Sequence, residues 1–142
     1  MNLTQREQQV YDLMITGVSQ RTIAKIIGFS VRSVKQHCAH IFKKLDAHST
    51  REVVAKHYIG LGYTNENGMP GAELLSKAER RVYDQLITGV SRKQIAAKIF
   101  RTEGVVCFHL ANISRKLGTN SMLEIVIKHY TSGQSIEMKE AA

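Results

Sequence analysis

The segment Ser19–Leu45, SQRTIAKIIGFSVRSVKQHCAHIFKKL, decides the fold. It reads as two short helices separated by a tight turn. Ser19 can cap the first, because its hydroxyl accepts a hydrogen bond from an N–H that the first helical turn leaves unpaired. Ile23, Ala24 and Ile27 then share one face at helical spacing. Gly28 tolerates the left-handed conformation that ends a helix. Ser30 caps a second helix, expected through Lys44. With Val34 as origin and about 100° per residue, Val34, Cys38, Ile41 and Leu45 cluster on one side and should face a core. Arg32, Lys35, Gln36, Ala39, His40 and Lys43 spread over the other. That outer face carries cations, an amide and one small residue. Cations suit phosphates and guanine edges, an amide suits adenine, and a small residue leaves room to enter a major groove. Taken alone, the helix fits an ordinary solvated amphipathic face better.

The flanking sequence separates these readings. Leu3-Thr4-Gln5-Arg6-Glu7 is followed by Gly17-Val18-Ser19, Ile23-Ala24, Ser30, Val34-Lys35, His37, Ile41 and Lys44-Leu45. This ordered set resembles the DNA-binding domain of LuxR/GerE-type regulators over about sixty residues, through a final helix near Tyr58. The resemblance implies a four-helix domain whose third helix enters the major groove and whose fourth makes a dimer contact. It implies base or backbone contacts for Lys35 and Gln36, with Arg32, Ser33 and Lys43 near phosphates. Arg21 and His40 complete the expected DNA surface. The family pattern often has Pro where Val31 stands.

Around this segment the first helix should run from Thr4 to Gly17, opened by the capping box Thr4-x-x-Glu7. Val10, Leu13, Met14 and Gly17 suit a buried stripe. Ser49-x-x-Glu52 opens the fourth helix, with Val53 and Val54 available for packing or a dimer contact, and glycines at 60 and 62 stop it. Residues 60–72, GLGYTNENGMPGA, hold four of the ten glycines and the only proline. They read as a linker over 61–72 that could reach roughly 40 Å when extended. That would suffice to set two small domains on successive turns of DNA, about 34–36 Å apart.

The chain then repeats itself with an offset of 72. Leu3–Tyr58 aligns without gaps on Leu75–Tyr130 with 25 identities in 56 positions, which means duplication rather than shared helix propensity. The expected architecture is all-α: two tandem four-helix helix-turn-helix domains, 1–60 and 73–131, joined by a short Gly-containing linker and followed by a tail, 132–142. The tail shows no periodicity and reads as mobile or a frayed helix.

The second copy keeps the inner stripe as Val106, Leu110, Ile113 and Leu117 but loses the outer face. Arg32 is replaced by Gly104, Lys35 by Cys107 and Gln36 by Phe108, and Glu103 stands where phosphates would lie. Arg115 alone keeps a cation, at the Lys43 position. Cys107, Phe108 and Ala111 would form an apolar patch suited to a protein contact. Alternatively, Phe108 turns into a slightly rotated core. Val126 matches Val54 and is the second copy's candidate for a contact between the repeats.

Composition sets the remaining limits. The chain has 142 residues, a formal charge of +8 and a pI near 9.7, which favours an anionic partner such as double-stranded DNA. No stretch is long and apolar enough to span a bilayer, and MNLTQREQQ has no signal-peptide core, so a cytoplasmic, nucleoid-associated protein of bacterial or phage type is expected. Cys38 and Cys107 make no disulfide framework. His37, His40, His48 and His57 lack metal-ligand spacing, and His37 and His109 match a family position where histidine supports the fold. No phosphate-binding loop, nucleophile elbow or zinc-protease motif occurs, so neither cofactor, metal nor catalysis is expected. The leading expectation is a transcription regulator read through the first copy, acting as a homodimer or an intrachain pseudo-dimer. The alternatives are an adaptor or inhibitor that binds RNA polymerase or another regulator, and a non-specific architectural DNA binder.

Overall fold

The computed structural model describes residues 2–132 and the backbone of 135–136. The fold is all-α. Helices α1 (Gln5–Met14), α2 (Gln20–Ile27), α3 (Val31–Leu45) and α4 (Thr50–Gly60) form the first repeat. Helices α5 (Lys77–Leu86), α6 (Arg92–Ile99), α7 (Glu103–Leu117) and α8 (Met122–Ser132) form the second.

Local chemistry sets the helix starts. Thr4 and Ser76 make full capping boxes with Glu7 and Glu79. Ser19, Ser30 and Ser49 each accept from the backbone N–H three residues on. Gly28 ends α2 at φ 77°, as its sequence position implies. The equivalent residue in the second repeat is Phe100, which takes the same left-handed conformation at φ 58° with its ring 85% exposed. A side chain there costs about 1–2 kcal/mol relative to glycine.

Each repeat closes on its own core. The first gathers Val10, Met14, Ile23, Val34, Cys38, Ile41 and Val53; the second gathers Val82, Leu86, Ile95, Val106, Ile113 and Ile125. Helix α4 serves both. Val53 is buried in the first core and is not available for an outside contact, whereas its neighbours Val54 and Ala55 are buried against the second. Successive helical residues point about 100° apart, so one short helix can face two cores.

α4 packs against α8. Val54 and Val126 are both fully buried there, and the rings of Tyr58 and Tyr130 stack with centroids 5.7 Å apart and planes 11° from parallel. The Tyr130 hydroxyl donates to the Ile87 carbonyl at 2.7 Å, and burial pushes its pKa up to about 12. The turn after α1 touches α8 through Gly17 and Ile127, while the turn after α5 touches α4 through Gly89 and Glu52. Contacts of equivalent elements in reciprocal pairs are what a two-fold arrangement requires.

The segment 61–72 is not an extended spacer. Met69 and Ala72 are buried, and residues 72–74 form a turn of 3-10 helix. The reach of roughly 40 Å is therefore unused. Of the expected tail 132–142, Ser132 ends α8, and beyond it only the backbone of Ser135–Ile136 is described. Their backbone (β2) pairs antiparallel with Tyr63–Thr64 (β1), an element that the sequence did not announce. The expectation of a mobile or frayed tail otherwise lies outside the described residues. No described helix is long and apolar enough to cross a membrane.

Candidate nucleic-acid interface

Helix α3 is held from beneath. Val34, Cys38 and Ile41 are buried, and burial pushes the Cys38 thiol pKa up. A buried carboxylate fixes the helix against α1. Glu7 Oε1 accepts from the Thr4 backbone N–H at 3.0 Å and from Lys44 Nζ at 2.6 Å. The lysine, then the backbone N–H, hold the Glu7 carboxyl below its usual range. His40 Nδ1 lies 3.6 Å from the other Glu7 oxygen. The same device recurs as Glu79 and Lys116, 2.7 Å apart.

The outer face of α3 carries Arg32, Lys35, Gln36, Ala39, His40 and Lys43, all exposed. Ser33 is half-buried, and its N–H is committed to the Ser30 hydroxyl at 3.1 Å. Arg21 is exposed on α2. Among the described residues, Arg21, Arg32, Lys35 and Lys43 have no acidic partner within ion-pair distance. Their charges are thus free for an external anion, and an unpaired exposed cation costs nothing to keep in water.

α7 has the same inner construction, with Val106, Leu110 and Ile113 buried, and a different outside. Gly104, Cys107, Phe108 and Ala111 are exposed there, behind Glu103 in the first turn. Phe108 is 64% exposed, so the alternative of a ring turned into the core does not hold. Arg115 is exposed and donates to the Asn112 side chain. Cys107 Sγ accepts from Arg92 Nη1 at 3.4 Å. Both line a groove of about 440 Å³ that Arg51 enters from the first repeat. Burial, and then the charge of Arg92, hold the Arg51 pKa below its usual value.

Several supporting residues escaped the sequence reading. Tyr11 Oη lies 2.8 Å from His57 Nδ1, and Tyr83 Oη lies 2.6 Å from His129 Nδ1. Arg6 stacks over Phe29 at 4.7 Å. The pairs were findable: Tyr11, His57, Glu7 and Lys44 are all identical in the two copies, whereas Arg32, Lys35 and Gln36 on the outer face are replaced. His37 packs its ring near Phe29, but Nδ1 of His37 and of His109 is buried with no hydrogen-bonding partner among the described residues. A fully satisfied histidine was expected there. No cluster of three metal-ligating side chains occurs among the described residues.

Comparison with known proteins gives the frame a family. The model of the bacterial regulatory proteins of the luxR family, GerE, matches residues 1–56 and again 73–129. The spore germination protein GerE of Bacillus subtilis (strain 168) is 33% identical over 61 residues, 43% of this chain and 82% of that protein. The transcriptional regulatory protein TdiR of Thauera aromatica is 35% identical over 60 residues, 42% of this chain and 26% of TdiR. The transcriptional regulatory protein FixJ of Azorhizobium caulinodans is 38% identical over 52 residues, 37% of this chain and 25% of FixJ. The chain thus spans about a quarter of the length of TdiR and FixJ. No solved structure matches it. Both repeats carry the family's pattern over most of the chain, and the protein belongs to the luxR family of bacterial regulatory proteins.

Proposed function

We propose that this protein is a DNA-binding transcription regulator that reads double-stranded DNA with α3 of its first repeat. The observation that carries the reading is the outer face of α3: exposed Arg32, Lys35, Gln36, His40 and Lys43 on a helix whose opposite side is locked in the core. Lys35 and Gln36, near the centre of that face, would contact base edges, while Arg21, Arg32, Ser33 and Lys43 would meet phosphates. The second repeat would add phosphate affinity through Arg115. Its packing on the first through α4 and α8 supports an intrachain pseudo-dimer. The names of TdiR and FixJ, both transcriptional regulatory proteins, agree with this role.

Selection of bound sequences from random duplex DNA, run on the whole chain, tests the reading. Lys35→Ala and Gln36→Ala should each weaken binding to the selected site by about 1–3 kcal/mol and weaken non-specific binding far less. Equal binding of both variants and the parent to the selected site would remove α3 as the reader.

One observation favours a second reading, in which the chain docks on RNA polymerase or another regulator. It is the exposed patch of Cys107, Phe108 and Ala111 at the position of the reading surface. Phe108→Lys would then abolish a regulatory effect while leaving the binding of the selected DNA intact.

A further inference from the structure

The first repeat sends one cation into the second. Arg51 stands in the first turn of α4, and its side chain enters the groove beside α7. This end of α4 is wedged against the turn after α5: a Cβ on Gly89 would lie 3.1 Å from the Arg51 carbonyl oxygen. Arg51 is half-buried. Arg92, at the first position of α6, is exposed and reaches the same groove.

Two guanidinium groups thus share one recess. Burial first, and Arg92 second, hold the Arg51 pKa below its usual value. Among the described residues neither arginine has a carboxylate within ion-pair distance. Glu52, next to Arg51 in sequence, is engaged elsewhere. It accepts from the His48 N–H at 2.8 Å and pairs with Lys56 at 3.4 Å. Arg92 donates at 3.4 Å to Cys107 Sγ, a weak acceptor. At the offset of 72, Leu123 answers Arg51 and Gln20 answers Arg92. The paired cations therefore belong to this groove and not to the shared frame. Like charges side by side repel, and a partly sheltered pair is screened less than one in open water, so an anion held between them is stabilised.

The remaining lining is apolar. Leu110 is 4% exposed, with Ala111 and half-buried Met122 beside it in the groove. Its volume of about 440 Å³ lies within the range of small-molecule sites, about 300–1,000 Å³. The planar fork of a guanidinium matches the paired oxygens of a carboxylate or a phosphate.

We infer that this inter-repeat groove binds a small organic anion, its carboxylate or phosphate head between Arg51 and Arg92 and a short apolar body against Leu110, Ala111 and Met122. The lining comes from both repeats, so the ligand bridges them. The site uses no residue of α3, so the inference stands or falls apart from DNA reading.

The probes are hexanoate and hexyl phosphate, each titrated into the intact, nitrogen-15-labelled chain without DNA. Saturating amide shifts at Arg51, Arg92, Cys107, Ala111 and Met122 are expected for at least one probe, with a dissociation constant on the order of millimolar or tighter. Hexan-1-ol lacks the charge and acetate lacks the body, so each should bind at least about tenfold more weakly. Arg92→Gln copies the first repeat's Gln20 at an exposed position and should weaken the probe about tenfold. Arg51→Gln should do the same, and Arg92→Gln decides alone if the Arg51 variant does not fold. The inference is overturned if neither probe saturates these shifts, or if Arg92→Gln binds the probe as the parent chain does. It is overturned if hexan-1-ol binds as tightly as the probe, which means an apolar crevice, or if acetate does, which means an adventitious ion only. Displacement of the probe by a short duplex of unrelated sequence, with loss of affinity for that duplex in Arg92→Gln, would give the arginines to DNA phosphates and overturn it too. Glu137→Gln combined with Glu140→Gln should leave probe affinity unchanged; a gain of about tenfold would assign the arginines to the chain's own carboxylates and equally overturn the inference.

Discussion

The two repeats have one frame and two surfaces. Glu7–Lys44 and Glu79–Lys116, Tyr11–His57 and Tyr83–His129, and the serine caps all occupy equivalent positions. Those side chains hold helices together. The outer faces of α3 and α7 are exposed, and there Lys35 stands against Cys107 and Gln36 against Phe108. The difference shows that this frame does not depend on the outer face of its third helix. A buried carboxylate with its lysine, or a tyrosine–histidine contact, tolerates little change, because removing the partner strands the buried group. An exposed lysine strands nothing when it goes.

The comparison breaks most sharply at the turns after α1 and α5. Gly17 and Gly89 share a φ of 89°. A Cβ on Gly89 would lie 2.5 Å from Glu52 Cα, which is backbone; on Gly17 it would meet Ile127 Cδ1, the end of a flexible side chain, at 2.4 Å. Gly89→Ala should therefore destabilise the chain by about 3 kcal/mol or more, combining left-handed strain with an unyielding clash. Gly17→Ala should cost roughly half as much, since Ile127 can turn away. Urea denaturation of both variants checks the order.

A second asymmetry concerns acid. The ring of His129 is buried against Tyr83, with Arg80 and Asp84 as the nearest charges, and its pKa is lowered to about 4, first by burial and then by Arg80. The unfolded chain takes up this proton near pH 6.5, the folded chain only near 4. Between those values the unfolded state binds more protons, so stability falls as pH falls through that window. The expected loss from this group is about 3 kcal/mol by pH 4. Burial lowers the pKa of half-buried His57 as well, by less. Replacing His129 with glutamine should flatten the pH dependence of stability between pH 6.5 and 4.5, and replacing His57 should flatten it less.

The tyrosines sharpen the same contrast. Tyr83→Phe removes the acceptor of the buried Met69 N–H and the partner of His129, and should cost about 1–3 kcal/mol. Tyr11→Phe removes one contact and should cost about 0.5–1.5 kcal/mol. Thermal melts at pH 7.5 suffice. The smallest effect belongs to Phe108. At 64% exposure it contributes little to the fold, so Phe108→Ala should change stability by less than about 0.5 kcal/mol. A drop of several kcal/mol would mean that the ring is buried in solution.

Much of this fold was legible because it is local. Ser and Thr three residues before Glu or Gln mark helix starts, and the stripe Val34, Cys38, Ile41 marks the inner face of α3. The outer face followed by elimination, since every residue placed there on the helical wheel is exposed. Two features were hidden because they depend on distant partners, and a third breaks a local rule. Val53 and Val54 are adjacent and chemically identical, yet they serve different cores. The glycines and proline of 60–72 suggested a free linker, but Asn65, Met69 and the carbonyls of Glu66 and Asn67 find partners in α5 and α8. Phe100 defeats the rule that puts glycine at a left-handed helix end. Its side chain is exposed.

The seam between α4 and α8 has a consequence for dose. Two separate chains that must pair before gripping DNA depend on the square of their concentration when scarce, and the response is sigmoidal. Here Tyr58 meets Tyr130 within one polypeptide, at an effective concentration fixed by the tether rather than by the cell. Occupancy of a site should then rise in simple proportion to the number of molecules made, with no threshold below which newly synthesised protein is silent. A titration of the selected duplex giving a Hill coefficient of about one, down to the lowest protein concentration at which binding is visible, is the signature of a regulator that carries its own second half.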